Sequence, residues 1–444
     1  MLRVTAAWVL LAGLAMVQTP ASAVNIRVDP RIAYQVMEGF GTSSRVWEDP
    51  HLADAPSSVV PPAAQEEILG LLYRDLGLTR VRPILDSGIE PVNDNPDPAT
   101  FDWSRFRFDG KRNDAHVAFV RQARGYGLRV YFPAPLMAEP WMTEEAPEEY
   151  AEWLMAVLLR WRALGLEPPY VSVINEPGHR RSGLWTAGWL RGVVRSLGPR
   201  LRAAGLGTLL VIPDDLNPTQ AYGRAAAVLD DPAARPYVGA LAFHLYGGSA
   251  ADLVKLRALS ARYGVPLWMT EFTDGRYSEY AGALQWATLV HRLISDDGVS
   301  AVDYIWGFFG DQGRRRAQAL VALQFRQGQY QARLLTPMYY LMGQFSRFVR
   351  PGYTRVAASS PDHAVLVTAY RGAGDLVLVA INTGATPRPL DVTLADPAPF
   401  PSFRVVRTSR TERWAVGESV LVRGGRFTTV LPEESVTTLI GSPP

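Results

Sequence analysis

The chain has 444 residues, 48% of them hydrophobic and 20% charged, with a net charge of +2. This composition suits one large globular domain with a smaller companion, and the near-neutral charge gives no basis for a nucleic-acid or anionic-membrane partner. The absence of cysteine excludes thiol catalysis, thiolate metal sites and disulfides.

Residues 1–23, MLRVTAAWVLLAGLAMVQTPASA, carry one early cation, Arg3, then an apolar run from Ala6 to Val17. They close on Ala21-Ser22-Ala23, the small-x-small pattern of a signal peptidase site. The run is short for a bilayer span, so cleavage near Ala23 is expected, with an uncleaved anchor as the alternative. The processed protein is expected to be a secreted or periplasmic monomer without a membrane span.

The segment VNIRVDPRIAYQV, within residues 24–37, reads as strands that pair with a module further on. Residues 38–348 then repeat one rhythm: a short apolar run, a turn and a helical pattern. Strands are predicted near Gly39–Thr42, Thr79–Ile84, Arg129–Phe132, Tyr170–Ile174, Thr208–Ile212, Val238–Phe243, Pro266–Thr270 and Val302–Trp306. PEEYAEWLMAVLLRWRALG opens on a proline and two acids, carries an apolar face and ends on Gly165, so it reads as a helix. AADLVKLRALSARYG and SEYAGALQWATLVHRLI have helical spacing too.

Alternating strands and helices imply parallel pairing through crossovers, and eight such units fit a (β/α)8 TIM barrel. A doubly wound sheet is the alternative. GFGTSSR at Gly39–Arg45 imitates its phosphate turn only weakly, without the third glycine or a helix directly behind it. From 349 to 444, short strands alternate with Gly, Pro, Asp and Asn turns, which predicts an attached side β-sandwich domain of an overall α/β protein.

Barrel chemistry sits at the C-terminal ends of the strands. There the fourth strand offers Asn175-Glu176, the seventh Glu271, the second Arg82 and Asp86, the fifth Asp214-Asp215, the sixth His244 and Tyr246, and the eighth Trp306. Two glutamates from strands three units apart can face each other across the mouth. Glycoside cleavage needs such a pair, one carboxyl protonated and one ionised. Pro177 has no N–H, so it ends the ladder, and it is expected to hold Glu176 extended. His244 and Tyr246, two apart, share one side of their strand, and a tyrosine hydroxyl beside Glu271 would favour its ionised form. Asp214 and Asp215 read as caps of the following helix.

Trp47, Trp141, Trp306, Phe308 and Phe309 follow strand ends, where flat rings could stack on sugar faces. Trp153, Trp161, Trp185 and Trp189 lie at helical spacing and read as packing residues. The six histidines, at 51, 116, 179, 244, 291 and 363, form no HxxxH or HxH pair, so no metal is expected. Arg314, Arg315 and Arg316 are either a solvated charge run or a clamp for an acidic sugar.

QVMEGFGTSS, VINEPGH, AFHLYGG and LWMTEF, with TPMYYLMGQFSRFVRPGYTRV at Thr336–Val356, together resemble glycoside hydrolase family 30. The resemblance spans nearly all of the chain after the signal peptide. It implies a retaining double displacement without a cofactor, with Glu176 matching the acid/base and Glu271 the nucleophile. Asn175 matches the contact to the hydroxyl beside the anomeric carbon, Tyr246 the support of the nucleophile, and Trp141 a subsite tryptophan. His244, Arg82, Asp86, Trp306 and Trp47 complete the expected substrate-binding set. The implied substrate is a polysaccharide, with β-1,4-xylan or a related plant glycan leading. A β-1,6-glucan or galactan, or an exo-acting glucosylceramidase-like activity, is the alternative. A non-catalytic carbohydrate-binding protein on the same barrel is the reading from a different class. HLYGG and WMTE look closest to the bacterial xylanase branch, but that branch's glucuronate-binding loop is not recognisable in WGFFGDQGRRRAQALVALQ.

Overall fold

A computed structural model describes residues 22–43, 47, 60–83, 85, 88–133, 139–179, 184–310, 318–395 and 400–443. Nearly all of the expected signal peptide, as well as Asp86, Arg314, Arg315 and Arg316, lies outside the described residues. No described helix is long and apolar enough to cross a membrane.

Eight parallel strands close into a barrel in chain order. They are β1 (Gly39–Ser43), β2 (Arg80–Arg82), β3 (Arg129–Pro133), β4 (Tyr170–Ser172), β5 (Leu209–Asp215), β6 (Val238–His244), β7 (Leu267–Glu271) and β8 (Ala301–Tyr304). Closure comes from β1 pairing with β8, Gly39 opposite Ala301. The helices between the strands follow their sequence signals. Pro147–Ala163 begins with proline in its first turn and Glu148 and Glu149 beside it, where acids favour the helix dipole. Gly165, at φ 71°, takes the left-handed turn after its end. Residues Tyr150 to Leu158 of this helix are buried in one unbroken run, and Trp161 with them, so the middle of the helix is covered on every side.

Side chains two apart on a strand point the same way, so Arg80 and Arg82 both enter the barrel, one above the other. Arg80 is fully buried and forms a two-bond pair with Asp303 of β8, both contacts at 3.0 Å. Its guanidinium lies 4.0 Å from the Trp268 ring centroid. Gly41 of β1 must be glycine here, because a Cβ would stand 2.3 Å from Asp303 Oδ1 and 2.5 Å from Arg80 Cβ. The weak phosphate-turn look of GFGTSSR thus has a packing cause.

The expected side β-domain is a ten-stranded sheet curled on itself. Its strand Arg426–Leu431 returns against Leu376–Asn382 and Ser435–Gly441. Val24–Val36 runs through the middle of the sheet, antiparallel to Thr354–Ser359 and parallel to Arg388–Leu394. LVLVAIN is apolar almost throughout because both of its faces are covered. Leu376, Leu378 and Ala380 enter the core inside the curl, while Val377, Val379 and Ile381 join the core shared with the barrel. Polar contacts lock the same seam: Tyr280 donates to the Glu434 carbonyl at 2.6 Å, and Trp414 Nε1 to that of Tyr340 at 2.7 Å.

One element is absent from the sequence-based expectation. After β8, Phe308–Gly310, Val321–Arg326 and Gln329–Leu335 form a separate three-stranded sheet. The last two are a hairpin whose turn residues, Gln327 and Gly328, both have positive φ, 51° and 76°. A primed two-residue turn between alternating runs is a known hairpin signal, so VALQFR-QG-QYQARLL was legible.

Candidate active site

Arg82, the last residue of β2, is the centre of the mouth. Its Nη1 donates to Glu271 Oε2 at 2.8 Å and to Ser43 Oγ at 3.2 Å. Its Nη2 donates to Asp214 Oδ2 at 3.1 Å and to the Asn175 side-chain oxygen. Burial opposes the Arg82 charge, but Asp214 and Glu271 outweigh it and hold the guanidinium firmly protonated. Ends of β1, β2, β5 and β7 and the exit of β4 are thereby tied to one cation.

The chain leaves β4 still following β5: the Glu176 N–H donates to the Asp214 carbonyl at 2.9 Å. Glu176 itself is not extended, as the proline behind it predicted. It has φ 51°, a left-handed conformation that is strained for a non-glycine residue. Two tertiary contacts override the local preference: the backbone bond to Asp214, and a side-chain contact of 2.9 Å between Glu176 Oε1 and His244 Nδ1. Strain of this kind persists only where the surroundings over-determine the conformation.

Glu271 ends β7 and accepts the Tyr246 hydroxyl at 3.0 Å on Oε1, opposite the oxygen that Arg82 holds. Burial and the Glu271 charge push the Tyr246 phenol far up, so it stays a donor. His244 is fully buried. Burial alone would lower its pKa, but the charge of Glu271 and the bonds to Asp214 and Glu176 push it up to about 10. Burial raises the Glu176 carboxyl, yet its bond to His244 and that residue's charge bring it below the ordinary value. Three carboxylates, Glu176, Asp214 and Glu271, therefore share two cations. One carboxylate oxygen each of Glu176 and Glu271 and a ring nitrogen of His244 all lie within 4.8 Å of one another.

Asp214 is not the helix cap that its position predicts. It is fully buried and accepts from Arg82, from Tyr131 and, at 2.6 Å, from Thr270. Burial raises its carboxyl, and Arg82 and His244 then drive it well below the carboxylate range. The real cap of helix Pro218–Leu229 is Asn217, which accepts from Gln220 N at 3.0 Å. Asp215 instead accepts from Gly178 N at 3.0 Å and Arg224 at 2.9 Å, so it braces the loop behind Glu176. Sequence reasoning also missed Ser43, Tyr131 and Thr270. Ser43 and Thr270 sit at or beside a strand end and Tyr131 in the middle of β3, but none is ionised near neutral pH, so a search for charge passes over them.

The aromatic candidates divide. Trp47 is buried and stacked on Phe308, with centroids 4.1 Å apart and planes 13° apart, so that ring face belongs to packing. Trp306 is buried against Phe309 at 4.8 Å. Trp141 is half-buried, its Nε1 donating to the Glu90 carbonyl at 2.7 Å. Trp153, Trp161, Trp185 and Trp189 are core residues, as their spacing predicted.

No family model matches the chain. Its sequence is 26% identical over 298 residues to a glucuronoxylanase, XynC, of Bacillus subtilis strain 168, covering 66% of this chain and 65% of that protein. It is 28% identical over 221 residues to an endo-1,6-β-D-glucanase of Neurospora crassa, covering 46% and 44%. Its fold matches the crystal structure of a family 30 endoxylanase from Clostridium papyrosolvens C71 with a TM-score of 0.75 and 22% identity, over 94% of this chain and all of that one. The resemblance to glycoside hydrolase family 30 therefore holds at the level of sequence and of fold.

Proposed function

We propose that this chain is an exported retaining β-glycoside hydrolase that cleaves a β-linked polysaccharide, with β-1,4-xylan or a related plant glycan as first candidate. The observation that carries the reading is the approach of a carboxylate oxygen of Glu176 to one of Glu271, within 4.8 Å. Retaining glycosidases hold their carboxyl groups about 5–5.5 Å apart, while inverting ones need about 6.5–9.5 Å to admit a water.

In this reading Glu271 attacks the anomeric carbon. Tyr246 and Arg82 orient its carboxylate by one bond to each oxygen. The glycosidic C–O bond breaks, and the leaving oxygen takes a proton from Glu176. That proton rests on His244 before the reaction and crosses the 2.9 Å contact. Glu271 is the largest charge supporting the His244 imidazolium. As Glu271 forms its ester and loses that charge, His244 gives up its proton more readily. Water then attacks the ester, its proton returning through Glu176, and Glu271 leaves as carboxylate. Arg82 holds the Asn175 carboxamide oxygen, which turns the NH2 group towards a sugar hydroxyl.

A β-1,6-glucan is the second reading, favoured by the similarity to the Neurospora enzyme. The test is a panel of β-1,4-xylan, glucuronoxylan, β-1,6-glucan and aryl β-glycosides, with chromatography of the products. Xylo-oligosaccharide release is the expected result. Release from β-1,6-glucan alone would move the assignment to the second reading, and no hydrolysis of any member would overturn both.

A further inference from the structure

A second group of carboxylates lies away from the barrel mouth. Residues 88–110 link β2 to the helix Lys111–Gly125 with no regular element but one short turn, Trp103–Arg105. Within this link Glu90 and Asp94 meet Glu152, which projects from the buried side of helix Pro147–Ala163. Glu90 and Glu152 are both fully buried, each at 0% exposure. One carboxylate oxygen from each of the three residues lies within 4.8 Å of the others.

Hydrogen bonding accounts for little of this. Glu90 Oε1 accepts from Asp94 N at 2.8 Å. Its other oxygen, Asp94 Oδ1 and both oxygens of Glu152 have no hydrogen-bond partner among the described residues. Buried oxygens are normally paired, and a buried carboxylate left without a partner is costly. The surroundings do not neutralise the cluster either. Glu149 stands close by, accepting from Asn93 at 3.1 Å, and adds negative charge. The charge of Arg200 acts on Glu152 without an ion pair between them, and its Nη1 is bonded to the Pro98 carbonyl at 2.7 Å. Burial and mutual repulsion push Glu90 up to about 8 and Glu152 up to about 9, the mark of a site short of positive charge.

We propose that Glu90, Asp94 and Glu152 bind a divalent cation of the hard, oxygen-seeking class, Ca2+ in particular. All donors are carboxylate oxygens, which suit such an ion. Ca2+–oxygen bonds of about 2.3–2.6 Å hold two ligands no more than about 5 Å apart, and the three oxygens fall inside that span. An irregular loop meeting one helix favours Ca2+ over Mg2+, which demands near-octahedral geometry and gives up water reluctantly. The ion would fasten the link to the helix. The Glu90 carbonyl also receives the Trp141 indole, so the same fastening fixes that ring. The histidine and cysteine spacing used to search the sequence for metals cannot detect a site made of oxygen alone.

The experiment uses the whole protein, stripped with EDTA, moved into chelator-free buffer and titrated with CaCl2 by calorimetry and thermal melting. The expected result is about one Ca2+ per chain and a Tm that rises with Ca2+ concentration. Glu152→Gln keeps the side-chain size and should weaken Ca2+ binding roughly tenfold or more, while the metal-free Tm holds or rises as repulsion is relieved. Asp94→Asn, at a less buried position, repeats the binding test should Glu152→Gln fail to fold. Absence of both binding heat and Tm shift in the parent protein overturns the proposal. So does undiminished binding by the variants. Neither result bears on whether the protein hydrolyses glycans.

Discussion

Five charged groups meet in the barrel mouth, and their balance fixes what each can do. Glu271 has a donor on each oxygen, which fixes the orientation of its carboxylate as the proposed nucleophile requires. Glu271→Ala should lower turnover by a factor on the order of 10⁴ while circular dichroism and Tm stay near the parent values. Arg82 retains Asp214, Asn175 and Ser43 in that variant, so the framework survives. Near-parent hydrolysis by Glu271→Ala would remove it from the mechanism. His244 makes a separate prediction. Its pKa rises from 6.5 to about 10 on folding, so its ionised form stabilises the protein fully below about pH 6.5 and the effect fades as pH climbs towards 10. The parent Tm should therefore fall across that window, and the fall should be shallower in His244→Asn. Parallel Tm–pH curves for the two proteins would contradict the charge assigned to His244. At this scale the sequence revealed the ionisable strand ends, including Glu176, Glu271, Arg82, His244 and Tyr246. It did not reveal the role of Asp214, because an aspartate just before a helix looks like a cap. The difference lies in burial and in partners from four other strands, and no local pattern encodes those.

Elements were legible where one local signal agreed with the tertiary demand. The helix Pro147–Ala163 carries its start and stop signals in the residues at its two ends. Glu176 shows the opposite case: the proline rule predicted an extended residue, and contacts with Asp214 and His244 hold it at φ 51°. Glycines in helices separate the two kinds of control. Gly223 lies in helix Pro218–Leu229, where an added Cβ would meet nothing within 4 Å, so only backbone entropy is at stake. Gly223→Ala should raise stability by about 0.5–1 kcal/mol. Gly343, in helix Pro337–Ser346, faces the Trp414 ring, and a Cβ there would approach it to 2.2 Å. Gly343→Ala should cost about 1–3 kcal/mol. Urea unfolding of both variants checks the opposite signs, and equal effects would refute the packing argument at Gly343.

At the scale of the molecule, barrel and side sheet share one hydrophobic core. Val24–Val36 belongs to the side sheet although it precedes the barrel, so segments on both sides of the barrel share one module. Val377, Val379 and Ile381 turn from that sheet into the core of the barrel. A chain truncated after Phe348 loses these residues and the strand partners of Val24–Val36. It should be insoluble or unfolded by circular dichroism, and a cooperative melt from a soluble barrel would contradict the shared core. The alternation of strands and helices made the barrel readable, and the short β-rich runs made the side module readable. The curl of that module into one sheet depends on pairings between residues far apart in the chain, which periodicity does not carry. The stereochemistry of the first bond cleaved tests the double displacement most directly. Proton NMR of the earliest product, taken on whichever glycan of the panel is hydrolysed, should show the β-anomer first, with the α-anomer growing only by mutarotation. If the α-anomer is released first, the reaction inverts, and the double displacement through Glu271 is wrong.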